Sequence, residues 1–215
     1  MNTKEFMEEK KLVCIIRRIY GEELLRLAAA LHKGGVELIE CTFDQADPHC
    51  AERTAEAIDL LGRSFGGEML FGAGTVLTPE QVTTARDAGA RYIISPNVNP
   101  AVIARTKELG LVSIPGAMTP TEILSAHELG ADFVKLFPAT TLGFKYISDI
   151  MAPISHVKLM ATGGVTEENL GEYLSRGFMG AGISGRLADK KLIAAGDWEE
   201  ITRRARVFTD IAAGD

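Results

Sequence analysis

The sequence sets a lysine inside one apolar run, Phe133-Val-Lys-Leu-Phe137, and a carboxylate inside another, Leu38-Ile-Glu-Cys-Thr42. As strands, these runs place Phe133, Lys135 and Phe137 on one face, with Val134 and Leu136 on the other. If the lysine face is enclosed, the ammonium loses hydration and its pKa falls. Bringing it from about 10.4 to about 7–8 takes roughly 4 kcal/mol of differential destabilisation. That state suits Schiff-base chemistry, because only a neutral amine attacks a carbonyl. A lysine that snorkels from the strand end or pairs with a carboxylate is the competing reading, and residue placement alone leaves both open. Glu40 shares its face with Leu38 and Thr42. A buried carboxylate of raised pKa shuttles protons near neutral pH. Glu40 is equally suited to be a counter-ion for Lys135 or Arg17, and the two roles are compatible.

Two glycine clusters follow late in the chain: Ala161-Thr-Gly-Gly-Val165, ahead of a helix expected to begin at Thr166-Glu-Glu, and Gly180-Ala-Gly-Ile-Ser-Gly185. Backbone N–H groups in such turns hold phosphate, above all beside a helix N-terminus. A single Gly-Gly is usually only a turn. Gly72-Ala-Gly-Thr-Val76 and Ser95-Pro96 read first as turn chemistry.

The elements that must position these groups are legible as an alternation. Short apolar runs (Val13 to Ile16, Leu38 to Thr42, Met69 to Gly72, Tyr92 to Ser95, Val112 to Pro115, Phe133 to Phe137, Val157 to Met160, Met179 to Ile183) are separated by helical periodicity. Their near-continuous hydrophobicity fits parallel strands covered on both faces. Between the first two, Leu24, Leu27, Ala28 and Leu31 make one helical stripe that Gly34-Gly35 ends. Thr78-Pro79 and Thr119-Pro120 read as N-caps followed by proline at the first helical position, closed by Gly89 and Gly130. Eight strand-helix units with short loops and no linker predict one α/β domain over residues 1–215, a single (β/α)8 TIM barrel, with an open doubly wound sheet as the alternative. In such a barrel Lys135 and Glu40 point inward, and the glycine clusters follow strands seven and eight.

Bulk properties exclude other classes. A net charge of −6 argues against general nucleic-acid binding, so any anion must be held by a local site. No apolar run approaches a membrane span, and the mixed-charge start lacks the core of a signal peptide, from which a cytoplasmic location is expected. The three cysteines form no C-x-x-C pair and the four histidines no metal-ligand spacing. No metal or other cofactor is therefore expected.

Several ordered motifs together resemble the bacterial 2-keto-3-deoxy-6-phosphogluconate (KDPG) and 4-hydroxy-2-oxoglutarate (KHG) aldolases. They are Gly34-Gly-Val-Glu-Leu-Ile-Glu40, Gly72-Ala-Gly-Thr-Val76, Ile94-Ser-Pro96, Ile114-Pro-Gly116, Lys135-Leu-Phe-Pro138 and Thr162-Gly-Gly164, spread over nearly the whole chain. The resemblance implies a class I aldolase, with Lys135 as imine lysine and Glu40 as acid/base. It also implies that Thr75, Pro96 and Thr162 line the keto-acid pocket and that Arg17 faces the substrate carboxylate. Gly163, Gly164, Ser184 and Gly185 would hold phosphate. It further implies 2-keto acid and aldehyde substrates, a homotrimer, and KDPG or KHG cleavage to pyruvate. The galactonate epimer is an alternative substrate, and a non-catalytic phosphate-ligand barrel an alternative role. This chain departs from the family pattern at Asp44, where some members carry arginine, at Thr140, where many are acidic, and at Ser184-Gly185, where some carry serine at the second position.

Overall fold

The computed structural model describes residues 1–214. Its strands are β1 (Leu12–Ile16), β2 (Leu38–Thr42), β3 (Leu70–Gly74), β4 (Tyr92–Ile94), β5 (Val112–Ile114), β6 (Gly116–Ala117), β7 (Val134–Leu136), β8 (Leu159–Thr162) and β9 (Gly180–Ile183). All pair in parallel, in the order β5-β4-β3-β2-β1-β9-β8-β7-β6. β5 and β6 occupy one barrel position, interrupted at Pro115, which has no N–H to donate to a ladder. That position closes the ring. Ser95 N donates to Ile114 O on one side, while Lys135 N and Phe137 N donate to Pro115 O and Ala117 O on the other. The fold is therefore the (β/α)8 barrel that the alternation predicts.

The helices are α1 (Thr3–Lys10), α2 (Gly21–Lys33), α3 (Cys50–Phe65), α4 (Pro79–Asp87), α5 (Pro100–Glu108), α6 (Pro120–Glu128), α7 (Gly143–Met151), α8 (Leu170–Ser175), α9 (Lys190–Ala195) and α10 (Trp198–Ala213). The stripe foreseen on α2 is buried, Leu24, Leu27, Ala28 and Leu31 all facing the core. The Thr78 and Thr119 hydroxyls accept from Gln81 N and Glu122 N, satisfying donors that a helix start leaves free.

Several boundaries differ from the sequence reading by a residue or more. The third strand runs on to Gly74, the seventh to Thr162 rather than stopping at Met160, and the helix expected at Thr166 begins at Leu170. Residues 166–169 instead form a turn, in which Asn169 Oδ1 accepts from Thr166 N at 2.8 Å and Asn169 Nδ2 donates to Gly164 O at 3.0 Å. A side chain that bonds the local backbone competes with helix initiation. Helix α1 escapes the strand-helix periodicity, yet Asn2 and Glu5 form a capping box at its start.

The core divides in two. Outward residues of the strands, such as Cys14, Ile16, Ile39, Cys41, Ala73 and Ile93, pack against the helices. Inward residues Val13, Leu38, Tyr92, Val112, Ile114, Phe133 and Met160 form a separate interior cluster, which Met7 of α1 joins with no exposure. Helix α1 is thus a lid across the N-terminal end of the barrel.

Candidate active site

Above that apolar plug, the inward positions turn polar. Lys135 is 4% exposed and Glu40 1% exposed, and Thr42 and Thr162 are buried with them. The register explains their arrangement: Glu40 pairs with Ile15 and Gly72, and Lys135 with Gly116 and Met160, so both side chains rise from adjoining layers of the same interior. Glycines clear the space for them. A Cβ at Gly74 would stand 1.6 Å from Glu40 Oε1, and one at Gly182 would stand 2.8 Å from Thr162 Oγ1. Gly74 is therefore a requirement for the Glu40 carboxyl, which the sequence reading did not anticipate.

No carboxylate oxygen of the described residues lies within 4.0 Å of Lys135 Nζ, and no basic nitrogen lies that close to Glu40. Lys135 Nζ sits 4.7 Å from the centre of the Phe137 ring, and Glu40 Oε2 has no hydrogen-bond partner. Neither group is held as half of an ion pair, although each feels the other's charge. Burial pushes the Lys135 ammonium below the ordinary lysine range, with Arg17 adding to the fall and Glu40 opposing it. Burial likewise pushes the Glu40 carboxyl above the ordinary range, against the pull of Lys135 and Arg17. The two shifts run toward neutral pH, downward for Lys135 and upward for Glu40. Thr162 Oγ1 is also buried without a partner. Buried polar groups are normally satisfied, so two orphans at inward positions set this part of the interior apart from the apolar plug below it.

The C-terminal rim carries the remaining candidates. Arg17, Thr162, Gly163, Gly164, Ser184 and Gly185 all line one cavity of about 320 Å³, with Phe137 and Arg186. Arg17 also borders a neighbouring cavity of about 460 Å³ shared with Thr42, Asp44 and Thr75. Thr75 adopts a left-handed φ of 55°, and its carbonyl accepts from Gln45 Nε2 at 2.8 Å. Pro96 lies two residues beyond β4, with its carbonyl packed against Gly116, and lines neither cavity. A groove of about 510 Å³ beside Tyr20 and Arg53 lies outside the barrel, away from both buried charges.

At the expected phosphate turn, Gly163 and Gly164 both have positive φ, 93° and 79°. A Cβ on Gly164 would meet Thr140 Oγ1 at 2.2 Å, so Thr140, one of the departures, closes over this turn. Arg186, at the rim, is turned onto Glu167 with contacts of 2.9 and 2.8 Å. Asp44, another departure, is clasped by Arg18 through two contacts of 2.6 and 3.0 Å, and that guanidinium holds its carboxyl below the usual carboxylate range. Phe137 and Thr42 went unassigned in the sequence, although period-2 alternation had already put them on the faces of Lys135 and Glu40.

Comparison with known proteins points to one family. The chain is 35% identical over 208 residues to the 2-dehydro-3-deoxy-phosphogluconate aldolase of Haemophilus influenzae, covering 96% of this chain and 95% of that one. It is 37% identical to the probable 2-dehydro-3-deoxy-6-phosphogalactonate aldolase of Rhizobium meliloti, covering 96% and 92%. Among solved structures, the KDPG aldolase of Legionella pneumophila, with pyruvate captured as a covalent carbinolamine intermediate, superposes with a TM-score of 0.84 at 27% identity, covering 97% and 98%. The sequence profile of the KDPG and KHG aldolases matches residues 3–204. A barrel of this topology, with that profile across nearly its whole length, places the chain in the KDPG and KHG aldolase family, as an aldolase that makes and breaks carbon–carbon bonds.

Proposed function

We propose that the protein is a class I aldolase that cleaves 2-keto-3-deoxy-6-phosphogluconate to pyruvate and glyceraldehyde 3-phosphate, with Lys135 as nucleophile. The observation that carries this reading is a buried lysine with no carboxylate of the described residues within 4.0 Å, whose pKa is pushed down by burial. Its neutral amine attacks the C2 ketone and, after loss of water, forms an imine. Glu40 takes the proton from the C4 hydroxyl, the C3–C4 bond breaks, and its electrons pass to C3 as the protonated imine becomes an enamine. Glyceraldehyde 3-phosphate departs. Protonation at C3 and hydrolysis of the imine release pyruvate and restore the amine. The same sequence applied to 4-hydroxy-2-oxoglutarate yields pyruvate and glyoxylate.

Arg17 is suited to the substrate carboxylate, being the basic residue whose charge reaches both Lys135 and Glu40. Thr162, its hydroxyl unpartnered, and Thr75 are assigned to the keto-acid end. Backbone donors at Gly163, Gly164, Ser184 and Gly185 are assigned to the phosphate. Pro96 is retained only as a contact from the β4 end. The similarity to the Rhizobium meliloti aldolase favours a second reading, cleavage of the galactonate epimer by the same lysine. Pyruvate release from the gluconate and galactonate 6-phosphates and from 4-hydroxy-2-oxoglutarate, followed by coupled reduction to lactate, tests the proposal. The gluconate epimer should give the highest kcat/KM, and a higher value for the galactonate epimer would replace it with the second reading.

A further inference from the structure

The basic residues around the barrel mouth fall into two groups. Arg18, Arg186 and Arg204 each face a carboxylate: Asp44 at 2.6 Å, Glu167 at 2.8 Å, and Asp189 at 3.1 Å with Glu200 at 2.9 Å. Arg17 and Lys190 have no carboxylate oxygen within 4.0 Å among the described residues. These two also border the same pair of cavities, one of about 440 Å³ beside Ser184 and Gly185 and one of about 460 Å³ above Thr42 and Thr75. The acids that line those cavities are already engaged, since Asp44 is held by Arg18 and Asp189 by Arg204 and by Lys191 N. Lys191 is likewise unpaired among the described residues but borders only the first of these cavities, so an acidic chain of net charge −6 keeps Arg17 and Lys190 as the uncompensated cations shared by both.

We propose that Lys190 is a specificity-determining residue, which pairs with the distal anion of the substrate while Arg17 takes the carboxylate beside the ketone. The inference rests on the aldolase reading above and deepens it. A substrate anionic at both ends needs two separated cations, and a solvent-exposed lysine on a flexible stem reaches a phosphate as a point charge without fixing its orientation. Its effect falls on capture and KM rather than on bond breaking, because the distal group carries the same charge in ground and transition states. Lys190 therefore supplements the backbone donors at the glycine turns, which shape the phosphate site without adding net charge.

The test compares Lys190→Met with Lys145→Met, an exposed lysine already paired with Asp149 on α7. The substrates are a phosphorylated 2-keto-3-deoxy acid and its unphosphorylated counterpart, each at low and high salt. Lys190→Met should raise KM for the phosphorylated acid about tenfold, leave kcat within about twofold and flatten the salt dependence of kcat/KM. It should leave the unphosphorylated acid and the borohydride trapping of pyruvate unchanged, and Lys145→Met should match the parent throughout. Equal KM changes for both acids, or no change for either, would overturn the assignment of Lys190. Loss of trapping in the parent protein would instead overturn the aldolase reading beneath it.

Discussion

The lower and upper layers of the barrel interior are built on the same alternation and differ in whether their polar atoms are satisfied. In the lower layer Tyr92 is fully buried, yet its hydroxyl donates to Ile39 O at 2.7 Å, and Val13, Leu38, Val112 and Phe133 close around it beneath Met7. In the upper layer Glu40 Oε2 and Thr162 Oγ1 are buried without partners, and Lys135 is enclosed without a counter-ion, among the described residues. The lower layer has the composition of a core. The upper layer keeps polar groups at a cost to stability, as functional sites do, and in the proposed aldolase reading a substrate supplies the missing partners.

Exchanging a residue in each layer should therefore separate activity from stability. Glu40→Gln keeps the shape of the side chain and removes its basic form, so turnover should fall by about 10²–10⁴, measured as pyruvate release. An unchanged rate would reduce Glu40 to a counter-ion. The same substitution should raise stability near neutral pH. A carboxyl whose folded pKa lies above its unfolded value binds more protons when folded, so its contribution is full below the unfolded pKa and lost as pH rises through the folded one. Denaturant midpoints at acid and neutral pH, for parent and variant, check that sign. Leu38→Ala in the plug should do the opposite, costing about 2–5 kcal/mol of stability while the surviving folded enzyme keeps its kcat.

Smaller effects sharpen the coupling between the two buried charges. The neutral amine of Lys135 forms as pH rises through its lowered pKa, so the rate of imine trapping should climb with pH and level off below the ordinary lysine value of about 10.4. Because the charge of Glu40 holds the ammonium in place, Glu40→Gln should move that midpoint to lower pH. An upward shift would contradict the coupling. Least affected should be Arg186→Ala, which removes a side chain already occupied by Glu167 and should change kcat/KM by less than about threefold.

Much of this was legible in the residues. Periodicity sufficed for the strands carrying Glu40 and Lys135 because inward and outward faces of a closed barrel are both enclosed, which leaves a charged residue conspicuous in an apolar run. Periodicity was silent on α1, whose placement depends on Met7 fitting the open end of a barrel not yet assembled. It also failed at Thr166, where Asn169 bonds the backbone and postpones the helix to Leu170. The pairing of Arg18 with Asp44 spans two loops and leaves no sequence signal. Pro96, assigned from a motif, contributes packing against Gly116 and does not border the cavities at Arg17.

The central claim is that the enclosed, unpaired lysine is the nucleophile. Treating the protein with pyruvate and borohydride, then mapping the product by peptide mass spectrometry, tests it most directly, since a reduced imine cannot hydrolyse. The account predicts one three-carbon adduct, on Lys135, and none in a Lys135→Met variant that also lacks aldolase activity. An adduct on a different lysine, or full turnover in the variant, would contradict it.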